Sequence, residues 1–175
     1  PEKLFGRVMD DLWFEVGFGG GEHLASLARD NPSIGFIGCE PFLNGVAKLL
    51  THVDAAKLDN LRIHPDDARD VLDRLPDASL GRVFVLFPDP WPKVRHRKRR
   101  FIAPANLDTL AHLMKPGALL RVGTDAMDYA AWTLEQLDRD RRFEWTAASP
   151  ADWRQRPTDW PPTRYEEKAL KAGRR

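Results

Sequence analysis

The chain reads as one α/β domain built on a doubly wound, mostly parallel sheet with helices on both faces. Three observations predict this. Short apolar runs alternate with stretches of helical periodicity across most of the sequence. The first five runs are apolar almost without interruption, as strands buried on both faces are. The first run ends in a glycine cluster that opens a helix, the beginning of a nucleotide-binding βαβ unit. A length of 175 residues suits a single domain over residues 1–175 and is short for two.

The elements follow in order. Leu12-Trp13-Phe14-Glu15-Val16 is the first strand, and Gly17-Phe18-Gly19-Gly20-Gly21 follows at once. Leu24, Ala25, Leu27 and Ala28 recur at helical spacing until Asn31-Pro32 ends the helix. Ile34-Gly35-Phe36-Ile37-Gly38-Cys39 is the second strand, closed by Glu40, and Val46, Leu49, Leu50, Val53 and Ala56 mark the next helix. Leu61-Arg62-Ile63-His64 is a brief third strand, followed by a helix through Val71, Leu72 and Leu75. The turn Pro76-Asp77-Ala78-Ser79 leads to a fourth strand, Val83-Phe84-Val85-Leu86-Phe87. Leu107, Leu110, Ala111 and Met114 form an amphipathic helix, and Lys115-Pro116-Gly117 stops it. Residues 118–123 are a fifth strand, and Thr124-Asp125 is placed to cap a helix over residues 129–137. Phe143-Glu144-Trp145-Thr146-Ala147 has the alternation of a sixth strand. Residues 149–162, rich in Pro, Trp and Arg, read as an ordered loop near a site, and residues 163–172 return to helix-forming composition.

Bulk composition narrows the function classes. With 42% hydrophobic and 30% charged residues the chain is an ordinary globular sequence. The net charge is only +1, so the six cations of Lys93-Val94-Arg95-His96-Arg97-Lys98-Arg99-Arg100 leave about −5 on everything else. Positive charge is concentrated rather than general. The single Cys39 excludes an intrachain disulfide and a cysteine-based metal cluster, which fits a reducing cytoplasm; no metal is expected. No apolar run approaches a membrane span and no signal peptide is visible, so no membrane partner is expected. A start at Pro1 rather than Met reads as a trimmed amino terminus. The oligomeric state, monomer or homodimer, is left open.

In doubly wound folds ligands bind beyond the carboxyl ends of the strands. That rule gathers Glu15, the glycine loop, Glu40, Asp67, Asp89 and Asp125 at one rim. The plainer reading is that each acid caps the helix after it. Glu40 ends the second strand, where an acid grips a ribose diol. The loop pattern Gly-x-Gly-Gly-Gly departs from the dinucleotide fingerprint, its third glycine coming one residue early. Glu15 would repel a pyrophosphate and attract the ammonium of a methionine moiety. Both points favour S-adenosylmethionine over NAD.

Phe87-Pro88-Asp89-Pro90-Trp91-Pro92-Lys93 has little backbone freedom, so Asp89 and Trp91 are held in place. A carboxylate accepts from the N1–H and N2–H₂ edge of guanine, and an indole offers a stacking face. The alternatives are a structural turn for Asp89 and a core aromatic for Trp91. The basic tract has three readings: a solvated surface helix, a nuclear import signal, or a phosphate-binding surface, of which the last suits its place beside the rim.

Four segments occur together in the order of a known family: Glu15-Val16-Gly17-Phe18-Gly19-Gly20-Gly21; Phe87-Pro88-Asp89-Pro90-Trp91-Pro92-Lys93 with its Arg/Lys continuation; Gly123-Thr124-Asp125; and Thr163-Arg164-Tyr165-Glu166. The chain resembles the bacterial tRNA (guanine-N7)-methyltransferases over residues 12–173. The resemblance implies a Rossmann-like class I methyltransferase fold, S-adenosylmethionine as cofactor, and tRNA as partner, with transfer to N7 of guanine 46 in the variable loop. It implies that Glu15, Glu40, Asp67 and Asp89 contact the cofactor, with Gly17, Gly19, Gly21 and Ala68 beside them. It implies that Asp89 is the catalytic residue, and that Lys93, Asp125, Thr163, Arg164, Tyr165 and Glu166 contact the substrate. Arg95, His96, Arg97, Lys98, Arg99 and Arg100 correspond to the RNA-interacting stretch. Two departures stand out. Tyr165 occupies a position where Phe is common, and the chain stops where a last antiparallel strand is expected, with most of an amino-terminal extension also absent. Competing functions are a methyltransferase of another substrate, a catalytically silent RNA-binding module and an NAD-dependent oxidoreductase.

Overall fold

The computed structural model describes residues 2–155, 157, 160, 161, 170, 171 and 173. Five parallel strands carry the fold: β1 (Asp11–Val16), β2 (Ile34–Cys39), β3 (Leu61–His64), β4 (Leu80–Leu86) and β5 (Met114–Gly123). They lie in the order β3-β2-β1-β4-β5. A short α1 (Glu2–Phe5) precedes them, and α2 (Glu22–Asp30), α3 (Leu43–Ala56) and α4 (Ala68–Leu72) follow the first three strands in turn. A six-residue 3₁₀ turn (Val94–Arg99) and α5 (Pro104–Leu113) join β4 to β5. Helices α6 (Met127–Asp138) and α7 (Pro150–Arg154) complete the described elements.

Strand parity explains the two-sided core. Successive side chains point to opposite faces, so Leu12 and Phe14 of β1 and Val83 and Val85 of β4 join one apolar cluster, with Leu72 of α4 and Leu107 and Leu110 of α5. Trp13 of β1 and Phe84 and Leu86 of β4 point the other way, against Leu24, Leu27 and Ala28 of α2 and Leu49 of α3. At about 25 cal/mol per Å² of apolar area, each such fully buried Leu or Phe stabilises the fold by about 2 kcal/mol. The fifth residue of β1, Glu15, shares parity with Trp13 and so faces α2, a placement that matters for the site.

Four local expectations are corrected. Residues 143–147 do not form a strand. Trp145 is exposed and only Phe143 packs on the core, because Asp140 turns the chain just before: its carboxylate and carbonyl accept from the amides of Arg142 and Phe143. Without a neighbouring strand to take its backbone hydrogen bonds, alternation alone does not make a strand. Lys115-Pro116-Gly117 does not separate helix from strand. It lies within β5 as an irregularity where the register slips between Leu80 and Arg82 of β4, and Gly117 takes φ +77°. Asp125 is not the cap of α6: the N-cap is Ala126, and the Thr124 hydroxyl accepts from its amide at 3.1 Å. The segment over residues 149–162 contains α7, its entry fixed by the Asp152 carboxylate, which accepts from the Ala148 and Ser149 amides. Residues 163–169 lie outside the described residues.

Candidate active site at the carboxyl ends of the strands

All five strands are parallel, so their carboxyl ends share one edge of the sheet. The strand order turns back between β1 and β4, and the crevice of a doubly wound sheet opens there. Glu15 and the glycine loop leave β1 on one side of that crevice, and Pro88-Asp89-Pro90 leaves β4 on the other.

The loop is shaped by backbone conformation that only glycine adopts cheaply. Gly21, the residue before α2, has φ 78°, and Gly17 and Gly19 also lie in the left-handed region. The loop is also pressed from outside. A Cβ on Gly45 of α3 would stand 2.1 Å from the Gly19 carbonyl oxygen, so α3 approaches the loop at backbone contact. Glu40, buried at the end of β2, ties the same corner together. One carboxylate oxygen accepts from the Gly19 amide at 2.8 Å, the other from the Phe42 amide at 2.9 Å.

Glu15 is almost fully buried, and its Oε2 lies 2.7 Å from Nδ1 of His23, the second residue of α2. The His23 ring meets Phe84 edge-on at 5.1 Å and Trp160 at 5.9 Å. Among the described residues neither His23 Nε2 nor Trp160 Nε1 has a hydrogen-bond partner, although both atoms are buried. Trp160 also covers the end of β5, its ring 3.1 Å from where a Gly123 Cβ would be. The rim thus presents a glycine cradle, two buried carboxylates and two buried nitrogens with unused hydrogen-bonding capacity. That donor and acceptor set fits the sugar and amino-acid ends of S-adenosylmethionine.

Asp67 is placed differently from Glu15 and Glu40. It is the N-cap of α4, its Oδ1 accepting from the Arg69 amide at 3.0 Å and from the Arg69 guanidinium at 3.1 Å, so the capping reading holds for it. Ala68 behind it is buried. Nearby Cys39, at the end of β2, is buried, and burial first, then the charges of Asp67 and Asp70, push its thiol up to about 12.

The β4 exit is the most constrained part of the rim. Phe87 (φ 49°) and Trp91 (φ 42°) are non-glycine residues in the left-handed region on either side of Asp89. Asp89 itself is exposed at the crevice. Trp91 meets His96 edge-on at 5.8 Å and carries the Arg99 guanidinium over its ring at 4.8 Å. Lys93, Arg95, Lys98 and Arg99 are exposed, His96 and Arg97 half-buried. Arg100 corrects the expectation that the whole tract faces RNA. It is buried, and its guanidinium donates to the carbonyls of Pro90 and Trp91 and to Asp128. Asp125 is half-buried after β5. Thr163, Arg164, Tyr165 and Glu166 lie outside the described residues.

Sequence reasoning missed His23, Trp160 and the Arg100–Asp128 pair. His23 was within reach: it falls at the start of α2 on the face that strand parity gives to Glu15. Trp160 was reached only as part of the loop over residues 149–162 read as lying near a site, and the Arg100–Asp128 pair depends on a contact between distant segments that left no local pattern. Among the described residues no group of three His, Cys, Asp or Glu side chains has metal-holding geometry, and no helix is long and apolar enough to cross a membrane.

Comparison with known proteins shows the family. A family model described as "Putative methyltransferase" matches residues 10–175. The tRNA (guanine-N(7)-)-methyltransferase of Rhodospirillum rubrum is 54% identical over 175 residues, spanning 100% of this chain and 69% of the relative. The protein of the same name from Ruegeria pomeroyi is 56% identical over 164 residues, 94% of this chain and 69% of the relative. Among solved structures, the 16S rRNA methyltransferase KamB superposes with a TM-score of 0.51 at 28% identity, over 69% of this chain and 55% of that one. On the parallel sheet, the glycine cradle with its paired acids, and these matches, the chain belongs to the tRNA (guanine-N7)-methyltransferase family.

Proposed function

We propose that this chain methylates N7 of guanine 46 in the variable loop of tRNA, with Asp89 as the residue that acts on the base. The observation that carries the reading is the juxtaposition at the β4 exit. An exposed carboxylate held between two strained residues at the switch-point crevice adjoins exposed cations on the following turn.

Bound in the cradle, S-adenosylmethionine supplies a methyl group activated on a sulfonium sulfur. Gly17, Gly19 and Gly21 let the backbone approach it, Glu40 holds its ribose, and Glu15, oriented by His23, faces its ammonium. Asp67 and Ala68 border the base end. Guanine N7 already carries a lone pair, so no proton would have to be removed as the N7–carbon bond forms and the carbon–sulfur bond breaks with its electron pair going to the sulfur of the departing thioether, and a general base is unnecessary. Asp89 instead accepts hydrogen bonds from the N1–H and N2–H₂ edge, which orients the ring, and it offsets the positive charge that the base acquires. Lys93, Arg95, Lys98 and Arg99 meet the phosphates, with His96 and Arg97 behind them. Asp125 contacts the substrate, and the family resemblance gives the same role to Thr163, Arg164, Tyr165 and Glu166. The reaction takes place in the cytoplasm.

The test is incubation of unmodified tRNA with the protein and methyl-labelled S-adenosylmethionine, followed by mapping of the modified nucleotide. Label at N7 of guanine 46 is the expected result; label elsewhere, or none, overturns the assignment. Calorimetry with S-adenosylhomocysteine against NAD separates a methyltransferase from an oxidoreductase on the same fold.

A further inference from the structure

We infer that Arg100 and Asp128 are positioning residues for the reaction, a latch of a buried guanidinium and an exposed carboxylate that holds the Asp89 turn in its strained form. Arg100 closes the basic tract in sequence, yet its side chain has no exposure and cannot meet a phosphate. The turn it grips cannot hold itself. Pro88, Pro90 and Pro92 have no amide hydrogen, and Phe87 and Trp91 stand in left-handed conformations that side chains resist. Two carbonyls of that turn are held from outside: Pro90 accepts from Arg100 Nε at 2.9 Å and Trp91 from Nη2 at 3.4 Å.

Arg100 is in turn held by α6. Asp128, in the first turn of that helix, pairs with Nη2, and the rings of Tyr129 and Trp132 lie 5.4 and 5.2 Å from the guanidinium carbon. The same two aromatic residues fix the chain just beyond: the Ile102 amide donates to the Tyr129 hydroxyl, and the Trp132 indole donates to the Ile102 carbonyl. Asp128 also accepts from Arg97 at 3.2 Å, so one carboxylate joins the buried brace to the RNA-facing part of the tract. A planar fork that reaches two carbonyls and a carboxylate at once is a geometry that lysine cannot reproduce.

The inference rests on the proposed role of Asp89, and its test separates the two. Arg100→Lys, Asp128→Asn and Lys98→Ala are compared for kcat, tRNA affinity by filter binding, and hydrogen exchange of the peptide spanning residues 87–93. For Arg100→Lys and Asp128→Asn we expect a kcat loss of about tenfold or more, tRNA affinity within about twofold, and faster exchange in the turn. Asp128→Glu is expected to recover part of the rate. Lys98→Ala is expected to weaken tRNA binding and leave exchange in the turn unchanged. Unchanged exchange and kcat in Asp128→Asn overturn the latch, as does an Arg100→Lys protein that loses tRNA affinity while keeping kcat. If Arg100→Lys does not fold, Asp128→Asn carries the test alone. If the unaltered protein fails to methylate tRNA, the functional reading falls, while the exchange measurement still decides the latch.

Discussion

Asp89 stands exposed between two prolines, and its proposed work is orientation and charge rather than proton removal. Asp89→Asn keeps one acceptor and loses the charge. The expected outcome is a fall in kcat of about 100-fold, in line with the loss of one preorganised electrostatic contact, with S-adenosylhomocysteine affinity much less affected. Unchanged turnover would sink the assignment. Glu15 and His23 pose a different problem, because both are buried and each is the other's partner. His23→Leu leaves an uncompensated buried carboxylate, for which about 3–5 kcal/mol of lost stability is expected. Glu15→Met with His23→Leu removes both polar groups and should recover much of that loss, so urea unfolding of the two singles and the double gives a large coupling energy. Additive losses would mean that the pair does not interact. Cys39 sets the alkaline side. Its folded value is raised to about 12 against 9.0 for an unperturbed thiol, so between those values the unfolded chain binds fewer protons than the native one. The contribution is complete below pH 9.0 and is lost as pH rises towards 12. The difference in unfolding free energy between the unaltered protein and Cys39→Ala should therefore shrink by up to about 1.4 kcal/mol per pH unit over that window.

At the scale of elements, the glycine loop is shaped from both ends, by its own left-handed residues and by the backbone of α3 against it. Gly45→Ala puts a methyl carbon into the Gly19 carbonyl, which can only be relieved by moving α3 or the loop. Overpacking of this kind costs about 1–3 kcal/mol, so a lower melting temperature is expected, with S-adenosylhomocysteine affinity falling alongside. Calorimetry on the folded variant checks it: full affinity would show that the loop does not depend on that approach. The strands and this loop were legible in the sequence for a local reason. Leu12-Trp13-Phe14 and Ile34-Gly35-Phe36-Ile37 are apolar runs closed by turn residues, and the acid or glycine at each exit follows from chain order alone. Arg100 was not legible in this way. In sequence it is one more cation in a charged run, and only the approach of α6, 28 residues on, shows that its charge is consumed internally. Residues 143–147 failed for the same reason in reverse: their alternation is local, whereas a strand needs a partner, and none of the described residues pairs with them as one.

Across the whole molecule, charge is distributed so that affinity for RNA and chemistry on the base fall to different groups. A net charge of +1 with six cations packed into eight residues means that the remainder of the chain is acidic and does not draw a polyanion by itself. The tract is therefore expected to supply most of the electrostatic binding, but not all six charges are free to do so. Arg100 is buried on Asp128 and backbone carbonyls, and Arg97 shares the same carboxylate. Lys93, Arg95, Lys98 and Arg99 remain exposed. Each phosphate neutralised releases condensed counterions, so the slope of log affinity against log salt counts the contacts that form. Four contacts give a slope of about −3 to −4, and six give about −4 to −5. Filter binding of tRNA over a range of salt concentrations should return the shallower value, and Lys98→Ala should reduce it by about 1. Arg100→Gln should leave it where it was, because a buried cation releases no counterion from RNA it never touches. A slope that drops in the Arg100 variant as much as in the Lys98 variant would place Arg100 on the RNA and dissolve the division between the residues that bind and the residues that hold the turn.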